Sequence, residues 1–199
     1  MNTTNEVETT TTTGRFRPSL SFYHPNAKGT GCALQMTLHP AHDHVEGSIF
    51  MSIANQIGVA NSNRENGEFK YSRFDWENKI CVKLDFNDLC RFLQVLRGEC
   101  ESIGNGKGLF HQHNDATTQI RFSHILEPES SYRLEVMRSA GAGVKEKASR
   151  FYFNQSEALG LCEAIASSMA IVCFGIPMLV PSKSTKLRDE KGLKNDSAA

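Results

Sequence analysis

The sequence has no CxxC pair, no HExxH helix, no GxSxG elbow, no P-loop and no glycine-rich dinucleotide fingerprint. The enzyme classes marked by those spacings have no support in it. Its six cysteines (Cys32, Cys81, Cys90, Cys100, Cys162 and Cys173) are scattered. Without a paired spacing or a secretion signal they read as small, reduced core residues rather than zinc ligands. No apolar run reads as long and clean enough to cross a bilayer. The richest, Met169 to Val180, is about a dozen residues, the length of a buried helix end. The start, MNTTNEVETTTTTG, is polar and slightly acidic, unlike a signal peptide or an Arg-rich transit peptide. That favours action in the cytoplasm of a bacterial cell or a phage-infected host. Charge excess is missing too, because 22 Lys and Arg balance 22 Asp and Glu. A strongly basic domain is the usual footprint of nucleic-acid binding, so neutrality weighs against that function until the charges are placed on faces.

What is present includes seven histidines, five of them in two clusters. HPAHDH supplies His39, His42 and His44, and LFHQHND supplies His111 and His113. A catalytic zinc needs three converging ligands and an open position. HPAHDH falls in a polar turn, so metal binding is the minor alternative and no cofactor is expected. GNGKG (104–108) has a lysine in a Gly-rich loop but lacks the strand-loop-helix setting of a phosphate loop. It reads as a linker.

At 199 residues and 39% hydrophobic, the chain can bury a sizeable core as one domain or two fused half-domains. Residues 1–14 form a Thr-rich tail expected to be disordered, and 181–199 a charged, flexible one. The body between them, 15–180, alternates apolar and polar residues in short stretches that read as strands: SLSFYH, GCALQMTL, GSIFMSIA and KICVKLDF. NDLCRFLQVLRGE then changes to helical spacing through Leu89, Phe92, Leu93 and Leu96, with Asn87 as the expected N-cap. The second half repeats the order. GLFHQH, TQIRFSHI, YRLEVMR and SRFYF precede a helix opened by Asn154 and Glu157, which are spaced as a capping box. Half-repeats at about 16–101 and 108–178 follow. SFYHPN lies over LFHQHN, matching Phe22 with Phe110 and Asn26 with Asn114. LQMT lies over IRFS, and LDFN over FYFN.

A duplicated β-β-β-β-α unit resembles the Whirly family of single-stranded DNA-binding proteins, whose topology PUR-alpha and the kinetoplastid guide-RNA-binding proteins share. AKGTGCAL (27–34) is similar to the family's Lys-Gly-Lys-Ala-Ala-Leu signature, with Thr30 in place of the second lysine and Gly31 added. RFDWENKICVKLDF (73–86) resembles its Tyr-Asp-Trp-x-x-Lys lead into the fourth strand. The stretch ending in LFHQHN resembles its Phe-Phe-His-Asp-Pro segment. The likeness covers about residues 16–177. It implies an α+β fold with two antiparallel four-stranded sheets packed with two helices, and a homotetramer. It also implies non-catalytic binding of single-stranded DNA in replication, repair, recombination or transcription. RNA binding by the same fold and a partner-binding scaffold are the alternatives.

Single strands are held by cations that track phosphates and by aromatic faces that stack bases. If the alternation holds, Lys79 and Lys83 share the outer face of the fourth strand. Arg121 and Arg133 point outward on the sixth and seventh, and Arg150 with Tyr152 on the eighth. The loop 68–76 adds Lys70, Tyr71, Arg73 and Trp76, and Lys28 sits in a Gly-rich turn. The helices carry Asp88, Glu99, Glu101, Glu157 and Glu163 against Arg91 and Arg97, so basic charge is skewed toward strands. Outward lysines also keep sheets soluble. Trp76 reads as either a core anchor or a stacking platform, and Tyr23 and Phe50 as either outer or core residues. His111 and His113 are expected on a sheet face open to nucleic acid.

Overall fold

The computed structural model describes residues 19–42, 44–63, 68–127, 130–140 and 146–175. The expected tails at 1–14 and 181–199 lie outside the described residues. In chain order the elements are β1 (Ser19–His24), β2 (Cys32–His39), β3 (Ser48–Gly58), β4 (Asn61–Asn63), β5 (Glu68–Lys70), β6 (Arg73–Phe74), β7 (Ile80–Leu84) and α1 (Phe86–Leu96). A 3-10 turn (Ile103–Gly106) leads to β8 (Leu109–His113), β9 (Ala116–Ile125), β10 (Ser131–Ala140), β11 (Lys147–Phe153) and α2 (Gln155–Phe174). The first sheet is the antiparallel meander β1-β2-β3-β7, and β6 adds a short rung beside β7 on β3. The second is the meander β8-β9-β10-β11. Segment 68–76, expected as a loop, instead contains β5, which pairs with β4, and β6, which pairs with the end of β3.

Period-two alternation decides which face each sheet buries. In the first sheet, Phe22, Leu34, Ile53 and Ile80 share one inward row across four strands. In the second, Leu109, Ile120 and Val136 do the same. Both inner faces and both helices contribute to a single apolar cluster. An aromatic chain runs through it. Phe22 meets Phe153 edge-on at 5.4 Å, Phe153 meets Phe122 at 6.1 Å, and Phe122 stacks on Phe92 at 4.8 Å. Such pairs add about 0.5–1.5 kcal/mol each beyond the area they bury, and this chain ties β1 to α1 through the second sheet.

The helix starts follow from side chains that take over orphan backbone N–H groups. Asn154 caps α2 as expected: its Oδ1 accepts from Glu157 N, while Glu157 Oε2 accepts from Asn154 N. For α1 the cap is Asp85, not Asn87. Asp85 is extended, its Oδ1 accepts from Asp88 N at 2.9 Å, and Asp88 Oδ2 accepts from Asp85 N at 3.2 Å. The reciprocal box needs an acid three residues on, and Asp85 has one in Asp88.

The two β-β-β-β-α units are present, but their residue match differs from the sequence overlay. Leu34 and Ile120 do correspond, both fully buried on second strands. Phe22 and Phe110 do not, since Phe22 packs inward on Phe153 and Phe110 is 64% exposed. The equivalent of Phe22 is Leu109, because each pairs with the matched residue of its neighbour strand. The two asparagines also differ. Asn26 caps its turn by side chain, whereas Asn114 adopts a left-handed backbone with φ 51. Likewise Leu84 matches Phe153, each lying just before a cap.

This shift moves His111 off the outer face. It shares the inward parity of Leu109, is half-buried, and places Nε2 3.1 Å from Asp88 Oδ2 at the start of α1. His113 is exposed at the end of β8.

Helix α2 also corrects the reading of its apolar run. Its 20 residues are long and apolar enough to cross a membrane by length and composition, because the apolar stretch begins well before Met169. Here one side of α2 packs on the core through Ala158, Leu161, Cys162, Ile165 and Val172. Leu159 and Phe174 are exposed. Burial pushes the Cys32 thiol up to about 12, and all six cysteines are unpaired.

Candidate nucleic-acid interface

On the first sheet the outer face is a trough of small side chains with rings at both ends. The row Ser21–Gln35–Ser52–Cys81 crosses all four long strands, flanked by Tyr23–Ala33–Ala54 and Thr37–Phe50–Lys83. At one end Tyr23, 54% exposed, lies 5.7 Å from the Phe74 ring and 6.4 Å edge-on to Trp76. Lys79 Nζ stands 6.0 Å from the Trp76 centroid, within cation–π reach. At the other end His39 and Phe50 are 4.5 Å apart beside Lys83. Trp76 is half-buried and outside the core cluster, so it belongs to this surface group rather than anchoring the interior.

The β1–β2 turn that carries Lys28 is held by one buried amide. Gln56 Oε1 accepts from Asn26 N at 2.9 Å and Gly31 N at 3.0 Å, and its Nε2 donates to Asn26 O and Gly58 O. A Cβ on Gly31 would collide with the His24 carbonyl and the Gln56 side chain, so only glycine fits there. Asn26 Oδ1 accepts from Lys28 N and Thr30 N, which presents Lys28 to solvent.

The second sheet's outer face is a grid. Phe110, Gln119, Met137 and Ala148 form one row. Arg121, Glu135 and Arg150 form the next, and Ser123, Arg133 and Tyr152 the third. Arg150 Nε donates to Glu135 Oε1 at 2.7 Å, and this bond raises the Arg150 pKa above its ordinary value. Tyr152 is 45% exposed. The two sheets are tied where Asn55 Nδ2 donates to Ala148 O at 3.2 Å and Lys147 Nζ donates to Asn78 O at 3.3 Å.

Seven of the eleven residues expected from sequence fall into two groups. Trp76, Lys79 and Lys83 lie on the first sheet and its leading loop, and Arg121, Arg133, Arg150 and Tyr152 on the second. Lys28 and Tyr71 are exposed in connecting segments, and Arg73 is exposed in β6. The Lys70 side chain lies outside the described residues. Sequence reasoning missed Phe110, whose outward parity only the register against Ile120 decides, and Glu135, which alternation with the buried Leu134 and Val136 places outward. It also missed Phe74, Lys147 and the clamp made by Gln56, which depend on tertiary contacts. Among the described residues no three His, Cys, Asp or Glu side chains converge as metal ligands.

Neither a family model nor a curated protein matches the sequence. Solved structures do match in shape. WHY1 from Arabidopsis thaliana superposes with a TM-score of 0.63 at 14% identity, covering 80% of this chain and 87% of that one. The fold is that of the Whirly proteins. The plant transcriptional regulator PBF-2 gives 0.61 at 16% identity, over 80% and 84% of the two chains. A guide-RNA-binding protein complex bound to a guide RNA gives 0.53 at 15% identity, over 78% and 91%. Among the described residues, two meanders each followed by a helix leave one face of each sheet without a packed helix, and the residues above lie there.

Proposed function

We propose that this protein binds single-stranded nucleic acid without catalysis, and that single-stranded DNA is its ligand in replication, repair, recombination or transcription. The observation that carries this reading is the outward cluster of Tyr23, Phe74, Trp76 and Lys79. It sets rings beside a cation, as stacked bases and adjoining phosphates require. Basic side chains on both outer sheet faces weaken the objection from zero net charge, since charge on the binding face governs attraction. RNA is the second reading, favoured by the likeness to a guide-RNA-bound complex. Assembly into a homotetramer is part of the proposal, supported by the exposed Leu159 and Phe174 on an apolar helix.

The test is a titration of labelled single-stranded DNA, duplex DNA and single-stranded RNA of one sequence at two salt concentrations. The expected result is a preference for single-stranded DNA, with affinity falling steeply as salt rises. Equal affinity for duplex, or no binding, would sink the reading; tighter RNA binding would replace DNA with RNA.

A further inference from the structure

Three arginines on the second sheet's outer face surround one acid. Glu135 lies directly across from Arg121 on β9 and Arg150 on β11, with Arg133 two residues before it on the same face of β10. Its side chain is only 17% exposed, with Oε1 2.7 Å from Arg150 Nε and Oε2 3.9 Å from Arg133 Nε. The Arg133 Nε is itself buried without a hydrogen-bond partner. An acid here is odd for a surface meant to track phosphates, because it cancels one of three positive charges. It makes sense if the guanidinium planes matter more than their charge. A carboxylate gripping the Nε edge fixes the plane and leaves its π-face open, and guanidinium planes stack on bases as aromatic rings do. Tyr152, half-exposed beside Arg133 in the adjoining row, extends the same surface.

We propose that Glu135 is a positioning residue that holds Arg150 as a base-stacking plane, so that this sheet stacks a base as the Tyr23–Trp76 group of the other sheet does, while Lys79 and Lys83 take phosphates. The inference rests on the single-strand reading above and adds a stacking position on the second sheet.

Charge-conserving substitution separates stacking from charge. Arg150→Lys keeps the cation and loses the plane. It should weaken single-strand binding by about fivefold or more, as much as Arg150→Ala does. Neither change should alter the dependence of log affinity on log salt. The Lys79→Ala, Lys83→Ala double variant should make that slope shallower by about 1.4, at about 0.7 per phosphate contact on a single strand. Glu135→Gln frees the Arg150 charge to meet a phosphate and should steepen the slope by about 0.7. Thermal unfolding checks that each variant is folded, which the exposure of Arg150 favours. Wild-type affinity in Arg150→Lys, or an unchanged slope in Glu135→Gln, overturns the inference and leaves single-strand binding standing. Failure of the wild type to bind single strands overturns both.

Discussion

His24 Nε2 lies 2.7 Å from Glu157 Oε1, joining the first strand of the first half to the capping box of the second half's helix. His111 makes the reciprocal contact to Asp88, in the capping box of the first half's helix. Each half thus grips the other's helix start through an equivalent histidine. His24 also stacks on Phe151 at 4.3 Å. His24→Ala should lower unfolding free energy by about 1–2 kcal/mol, combining a lost, part-exposed hydrogen bond to a carboxylate with lost ring packing. A double-mutant cycle with Glu157→Gln should show coupling of about 0.5 kcal/mol or more. Additive losses in denaturant titrations would mean that the contact carries no energy.

Asp88 should give a distinctive pH signature. Burial lifts its carboxyl above the ordinary 3.8, although His111 pulls the other way. A raised folded-state pKa contributes stability that is complete below 3.8 and is lost as pH rises through the raised value. Wild-type stability relative to Asp88→Asn should therefore fall as pH increases above 3.8. Urea titrations of both proteins across that window measure the difference, and a rising difference would contradict the assigned cause.

Gln56 satisfies four backbone groups at once. Gln56→Leu strands those groups in a part-buried turn and should cost about 2–4 kcal/mol. Single-strand affinity should fall as well, because the Lys28 turn loses its frame. Normal stability in chemical denaturation would show that water replaces the amide.

Trp76→Ala and Tyr23→Ala should each weaken single-strand binding by about 1–3 kcal/mol, the worth of a stacked base. The melting temperature should move little, since both rings lie outside the core cluster. Were Trp76 a core anchor, truncation would instead cost about 3–5 kcal/mol of stability.

Leu159→Asp together with Phe174→Asp should release subunits from an assembly while leaving each folded, because both side chains are exposed in the single chain. Sedimentation velocity of wild type and variant reads this directly. A monomeric wild type would remove the apolar helix face as an assembly surface.

Much of this architecture was legible in the chain. Alternation in CALQMTLH and KICVKLDF, and the switch to helical spacing at Leu89, mark strands and helix by period alone. The order of those periods, repeated once, is enough for the duplicated fold. Glu157 three residues after Asn154 likewise announces its own helix start, because that hydrogen-bond box is local. Sequence could not settle which parity of a short strand faces the core. A shift of one residue along LFHQH exchanges Phe110 with His111, and only the register against Ile120 decides it. The grouping of Tyr23 with Trp76, the grip of His24 on Glu157 and the Gln56 clamp join residues far apart in sequence. Local periodicity determined the elements and their order; packing of the two halves decided which side chains meet, because those contacts exist only once the sheets and helices have closed on a common core.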